Sequence, residues 1–258
     1  MIKRILSVIF TGLIVGTSVS LLVQLFLYLV NTLSNLFRQD FEDLNHSDSN
    51  YFIIVIFFFI LVPFIIGLVV GIIRNFNKDK RWHGPPDVIL SVHQDRQQLN
   101  IKSGFLTSFA SVLSISVGSS VGQYGPLVHF GGTIGAEIKK LFSFAPDYKI
   151  LVSAGVASAI SSGFGAPLAG LIFAREVVLR HQSLASFSPI LLSSIISYVI
   201  TTKFFNYEPA FEIPYGEINS ISQIIIIIFG GLAVGLFASL YSHLLTTKKL
   251  NFLNFGNK

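Results

Sequence analysis

Gly118-Ser-Ser-Val-Gly-Gln-Tyr-Gly-Pro-Leu-Val-His-Phe-Gly-Gly-Thr-Ile-Gly-Ala-Glu137 is the stretch that decides how this chain folds. It sets a glycine-punctuated break, Gly122-Gln-Tyr-Gly-Pro126, between apolar stretches too short and too rich in small residues to be ordinary membrane spans. A break of this kind inside a bilayer leaves backbone N–H groups that lipid cannot satisfy. It is tolerated only where it is buried in protein or lines a cavity. A ligand path is expected here.

The composition around the break agrees with a membrane setting. Of 258 residues, 52% are hydrophobic and only 12% are charged, and several apolar runs are long. This places the chain among all-α polytopic membrane proteins. The net charge of +5 gathers in a few loops, so it reads as membrane topology and not as a nucleic-acid surface. With no cysteine, the chain excludes a disulfide framework, a thiolate metal site and a cysteine nucleophile. We find no nucleophile–base pair, phosphate-cradling loop or metal-ligand cluster, so neither enzymatic activity nor a cofactor is expected.

Ahead of the break, Met1-Ile-Lys-Arg4 leads into apolar sequence that continues to Leu36 without a small-residue cleavage site. It reads as a retained first span, about Ile5 to Leu36, and not as a cleaved signal. The loop Arg38–Asn50 carries Asp40, Glu42, Asp43 and Asp48, and a second span covers Tyr51 to Ile73. The next loop, Arg74–Lys102, is basic, with Lys78, Lys80, Arg81 and Arg96. Positive charge before the first span and after the second puts the N-terminus on the cytoplasmic side. Within that loop, Trp82-His-Gly-Pro-Pro-Asp87 predicts a short half-inserted helix over Pro86–Val92, its N-terminus presented by Gly84.

Behind the break the apolar segments stay short: Gly104–Ser120, Pro126–Leu141, Pro146–Gly163 and, after a second break at Gly163-Phe-Gly-Ala-Pro167, Ala166–Arg180. Small residues let membrane helices approach closely, so these four are expected to be buried. Close packing accounts for most of the glycines; it does not account for two glycine–proline breaks so near one another. Phe187–Phe204 reads as a further span, the loop with Glu208, Glu212 and Glu217 as external, and Ile221–Leu245 as the last span before Lys248 and Lys249. Gly12-Leu-Ile-Val-Gly-Thr-Ser-Val-Ser20 matches Gly231-Leu-Ala-Val-Gly-Leu-Phe-Ala-Ser239 at both glycines, Leu, Val and Ser. The charge signals run these two copies in opposite directions, as an inverted repeat requires. The expected organisation is a first repeat over 1–205, an external loop over 206–220, and the first helix of a second repeat with its tail over 221–258.

These motifs resemble, in order, those of the CLC family of chloride channels and chloride–proton antiporters. Gly122-Gln-Tyr-Gly-Pro126, with Val128, Gly131, Gly132 and Gly135 behind it, resembles the family's G-[KR]-E-G-P motif and its helix. Gly163-Phe-Gly-Ala-Pro-Leu-Ala-Gly-Leu-Ile-Phe173, ending in Glu176-Val177, is similar to A-P-[LI]-A-G-x-x-F-x-x-E. Trp82-His-Gly-Pro-Pro-Asp87 is similar to G-S-G-I-P-E. The resemblance covers most of this chain but only the first half of the family's fold. It implies a broken-helix bundle and passage of chloride or similar small anions. It also implies a homodimer in which Ala166–Arg180 and Phe187–Phe204 contribute to the interface. The missing second half would supply further anion contacts, so the chain is expected to be a fragment, a truncated product or one part of a split protein. Short termini fit a bacterial inner-membrane protein.

By this resemblance the anion is held at His83, Gly84, Pro85, Gly122, Gln123, Tyr124, Gly125 and Pro126. The physical ground is that a helix N-terminus offers free N–H groups and roughly half a positive charge. The resemblance is also informative where it fails. Tyr124 stands where the family has its gating glutamate, Gln123 where it has a basic residue, His83 where it has an anion-selecting serine, and Val177 where its antiporters have an inner proton glutamate. A phenol of reference pKa about 10 stays neutral near pH 7. The expectation is a voltage-gated-type chloride channel with Tyr124 as gate and no proton coupling. The alternatives are a carrier of another solute and a non-conducting product that needs a partner half. Among the other polar residues, His129 is expected to bond to a neighbouring helix, with pathway-facing as the alternative. Glu137 and Glu176 are expected to pair with nearby bases at least as readily as to act in transport.

Overall fold

The computed structural model describes residues 2–42, 49–77, 80–94, 99–119, 121–142, 145–180, 184–205 and 220–246. The acidic loop signals at 206–219 and the basic tail at 247–258 lie outside them. The described residues are helical and contain no strand. The chain divides into two compact units, Met1–Ala210 and Phe211–Lys258.

In the first unit the helices are α1 (Ile2–Glu42), α2 (Ser49–Asn75), α3 (Pro85–His93), α4 (Ile101–Ser116), α5 (Tyr124–Leu141), α6 (Tyr148–Phe164), α7 (Pro167–Phe173) and α8 (Leu184–Phe204). A π-helical turn, Ala174–Leu179, continues α7. The apolar part of α1, Ile5–Phe37, is 33 residues. At 1.5 Å per residue it is about 50 Å long, and it fits a bilayer core of about 30 Å only when tilted. Helix α1 continues beyond the expected end of the span, so Asp40 and Glu42 belong to its last turn and not to a loop.

Helix α6 is the centre of this unit, with α1, α5, α7 and α8 packed around it. Every residue from Leu151 to Gly163 is buried, and most of these residues are Ala, Ser, Gly or Val. That composition is a packing device. Helices α5 and α6 touch backbone to backbone: a methyl group on Gly131 would lie 2.5 Å from the Gly155 carbonyl oxygen, and one on Gly135 would overlap the Leu151 carbonyl. Membrane helices gain little from hydrophobic exclusion against one another, so close van der Waals approach of this kind holds them together.

A polar seam reinforces α6 against α8 and α1. Ser161 Oγ donates to the Ser194 carbonyl at 2.6 Å, and Ser197 Oγ donates to the Ser158 carbonyl at 2.8 Å. Ser162 and Thr201 share a hydroxyl bond at 2.7 Å, and Gln24 Nε2 donates to Ser162 Oγ at 3.0 Å. Each such contact is worth about 0.6 kcal/mol on average inside a bilayer. The small residues were legible in the sequence; which of them bond across helices was not.

The expectation of four buried short helices holds best for α5 and α6, whose exposed residues lie at their ends. Helix α4 exposes Phe105 and Phe109, and α7 exposes Leu168 and Ile172, so each has a buried and an open face. In the second unit the described residues form α9 (Ile221–Thr246), apolar on all sides and long enough to cross a bilayer.

Candidate functional site

The break sits where a left-handed residue turns the chain into α5. Gly122 has φ +66, a conformation that an L side chain occupies only at a cost, with Gln123 after it as N-cap. The helix then begins at Tyr124, two residues earlier than the proline marks. Pro126 is its third residue, inside the first turn, where a missing N–H costs nothing because no carbonyl awaits it. The first turn therefore directs the Tyr124 and Gly125 N–H groups out of the helix end. The second break works similarly: Gly165, at φ +62, ends α6, and Pro167 opens α7.

Helix α3 begins at Pro85, with Gly84 as N-cap, and its start meets the start of α5. A methyl group on Gly125 would lie 3.8 Å from Pro85 Cδ. Two turns further along α5, a methyl on Gly132 would touch Val88 at 3.0 Å. His83, just before the α3 cap, stacks on His129 of α5 with ring centroids 5.6 Å apart and 26° between planes. His83, Gly84, Pro85, Tyr124 and Gly125 thus surround one junction of two helix ends. Tyr124 is 39% exposed and presents its ring edge-on to Phe173 at the end of α7, centroids 5.6 Å apart.

The two ends differ in what they offer. At α3 the Gly84 N–H donates to Asp87 Oδ2 at 2.9 Å, and Pro85 and Pro86 have no N–H. The Asp87 N–H is taken by the Gly84 carbonyl at 3.0 Å, and the Val88 N–H points to the same oxygen at 3.4 Å. The backbone of α3 therefore keeps its positive dipole end but has no spare donor, against the expectation of free N–H groups at both helices. Arg81 pairs with the Asp87 carboxylate, and His83 Nδ1 lies 3.5 Å from it. Burial pushes the Asp87 carboxyl up. The Arg81 hydrogen bond, the Gly84 N–H and the charges of Arg81 and His83 outweigh it and hold the group below its usual range.

His129 departs from its expected role. It is 1% exposed, and its Nδ1 has no hydrogen-bond partner, so the ring stacks on His83 where a bond to a neighbouring helix was expected. Glu137 does pair with a base: Lys140 Nζ lies 2.6 Å from its carboxylate. Glu176 is exposed on the π-turn, beside Arg175, whose guanidinium covers the Phe187 ring at 5.0 Å. Among the described residues no group of three or more His, Cys, Asp or Glu is placed to hold a metal.

Comparison with known proteins agrees with this architecture. The chloride channel protein CLC-e of Arabidopsis thaliana is 32% identical over 186 residues, which are 69% of this chain and 26% of that protein. The voltage-gated ClC-type chloride channel ClcB of Salmonella typhi is 23% identical over 199 residues, 75% of this chain and 47% of that protein. The chain therefore spans less than half the length of these relatives. The solved structure of a slow cyanobacterial Cl-/H+ antiporter superposes with a TM-score of 0.70 at 21% identity, covering 91% of this chain and 54% of that one. This last likeness shows the fold: a CLC-type helix bundle, matched over its N-terminal part. The profile of the voltage gated chloride channel family matches residues 64–253, most of the chain, and with it this chain belongs to the voltage gated chloride channel (CLC) family of membrane transport proteins.

Proposed function

We propose that this chain forms part of a passive pathway for chloride or similar small anions, with the anion held where α3 and α5 begin. The observation that carries this reading is the convergence of two helix N-termini at Pro85 and Gly125, with no hydrogen bond from the N-cap side chain to the first turn of α5. Conduction needs a site that attracts an anion yet releases it. Helix ends do this with partial charge, where a buried lysine would hold on. Gly122, Gln123, Tyr124, Gly125 and Pro126 shape the α5 side of the site; His83, Gly84 and Pro85 shape the α3 side. No cofactor enters the mechanism.

Tyr124 is the gate. It occupies the first helical position and is half-exposed, so its ring can cover the α5 donors or move aside. A neutral phenol does not exchange a proton with each anion as a carboxylate would. The flux is therefore uncoupled, and Val177 supports the same reading from the π-turn. The test is the reversal potential of the full-length gene product in proteoliposomes. It should follow the chloride gradient and stay put under a pH gradient; movement with pH refutes uncoupled flux.

On this reading the first repeat lies within residues 1–205 and the first helix of the second repeat starts at Ile221. The chain's share of its relatives' length supports a pore completed by a further half. The resemblance of its motifs to the family's is the ground for a homodimer through the α7 and α8 region. The protein resides in the bacterial inner membrane with its N-terminus cytoplasmic.

A further inference from the structure

We propose that helices α4 and α5 hold a buried structural water between Thr107, Ser108 and His129, and that this water fixes the imidazole that stacks on His83. The site is separate from the anion-site reading above and stands whether or not that reading does. Three side chains carry it. Thr107 is 5% exposed, Ser108 6% and His129 1%, and Thr107 Oγ1, Ser108 Oγ and His129 Nδ1 each lack a hydrogen-bond partner. Leaving one buried polar atom unsatisfied is costly, and three at one place call for a common partner.

The register of the two helices brings them to one place. A methyl group on Gly104 of α4 would lie 3.1 Å from Thr133 Oγ1 of α5. One residue later on α4, the Phe105 ring meets that of Phe130, which is earlier on α5 than Thr133, with centroids 5.0 Å apart. The helices therefore run antiparallel here. One turn beyond Gly104, Thr107 and Ser108 flank its line on α4. One turn before Thr133 on α5 comes His129, whose carbonyl accepts the Thr133 hydroxyl at 2.7 Å. The same turn of the interface thus receives two hydroxyls and one imidazole nitrogen, and none of the three bonds another.

Water is the ligand that this set fits. A buried water makes about three hydrogen bonds to polar groups that would otherwise be unsatisfied. Each hydroxyl can donate or accept, and the imidazole nitrogen does one or the other according to tautomer, so one water can serve all three. Hydroxyls carry no charge to offset the dehydration of an ion. With Nδ1 engaged, the ring cannot turn over without breaking that bond. Helix α4 thus holds from behind the imidazole that meets His83 with centroids 5.6 Å apart, and becomes a support of the α3–α5 junction.

Thermal unfolding of the purified full chain in detergent separates a wet interface from a dry one by sign. If water joins the three atoms, Ser108→Ala and Thr107→Val should each lower the midpoint by about 2–4 °C, the shift that loss of an ordinary hydrogen bond gives at this chain length. If the hydroxyls are dry, the same changes remove an unsatisfied group and should raise it. A rise or no change in either folded variant overturns the proposal. Alanine is the better helix former, so that bias works against the expected loss. His129→Phe keeps a ring for His83, and its loss should be less than additive with that of Ser108→Ala; additive losses overturn a shared water. Hydroxyl-radical footprinting by X-ray radiolysis needs no variant. His129, buried from bulk solvent, should be oxidised in the parent chain, and an unlabelled His129 overturns the proposal. The midpoint losses should be equal in chloride and in gluconate buffer; losses found only in chloride would make the ligand an anion and overturn it.

Discussion

The imidazole of His83 lies flat against that of His129, centroids 5.6 Å apart, and so ties the residue before α3 to the second turn of α5. The same junction brings Pro85 against Gly125. Two helix ends that are far apart in sequence become one site, and their geometry depends on contacts that mutation can probe.

Gly155 sits against the backbone of Gly131, where an added methyl would overlap the carbonyl. Gly155→Val should destabilise the chain by about 3 kcal/mol or more, since neither backbone has room to move. A thermal unfolding scan in detergent checks this. Gly71, with open space around it, is the control: Gly71→Val should change the midpoint little.

Gly122 has open space around it, so its requirement for glycine is conformational alone. Gly122→Ala should cost about 1–2 kcal/mol for the left-handed backbone, and Gly122→Asn should cost less because asparagine tolerates that region. Unfolding midpoints in the order Gly, Asn, Ala support the reading. Equal losses for the two variants would point to a steric cause instead.

Asp87 caps α3 and anchors Arg81. Asp87→Ala should lose about 1 kcal/mol, and Asp87→Asn, which keeps an accepting oxygen for the Gly84 N–H, should lose less. The pH dependence has a definite sign. Because the folded carboxyl sits below its ordinary value of 3.8, its contribution is fully present above that value. It is lost only as pH falls through the lower folded value. The Asp87→Ala difference in midpoint should therefore be constant from pH 5 to pH 7.

Tyr124 packs edge-on to Phe173 and is the first residue of α5. Tyr124→Ala should raise chloride flux of the full-length protein several-fold, and Phe173→Ala should raise it less. A Tyr124→Ala variant that folds yet conducts no more than the parent would remove Tyr124 from the role of gate.

Much of this molecule was legible in its residues. Hydropathy placed the long spans, and Gly122, Pro126, Gly165 and Pro167 located both breaks, because backbone rules are local and act without knowledge of the fold. Helix limits shifted where a local signal was ambiguous: Pro126 marks a first turn, and any of its first three positions accepts a proline.

The sequence by itself determined the class of molecule and the positions of its broken helices. Those are properties of hydrophobicity, φ preference and residue identity, which each position carries alone. Only the tertiary structure decided that Gly125 meets Pro85, that α3 has no spare N–H, that His129 stacks on His83 and that serines of α6 bond to α8. These depend on how α3, α5, α6 and α8 are rotated about their axes. The pattern of α6, small and buried on every side, does not encode which face meets which neighbour.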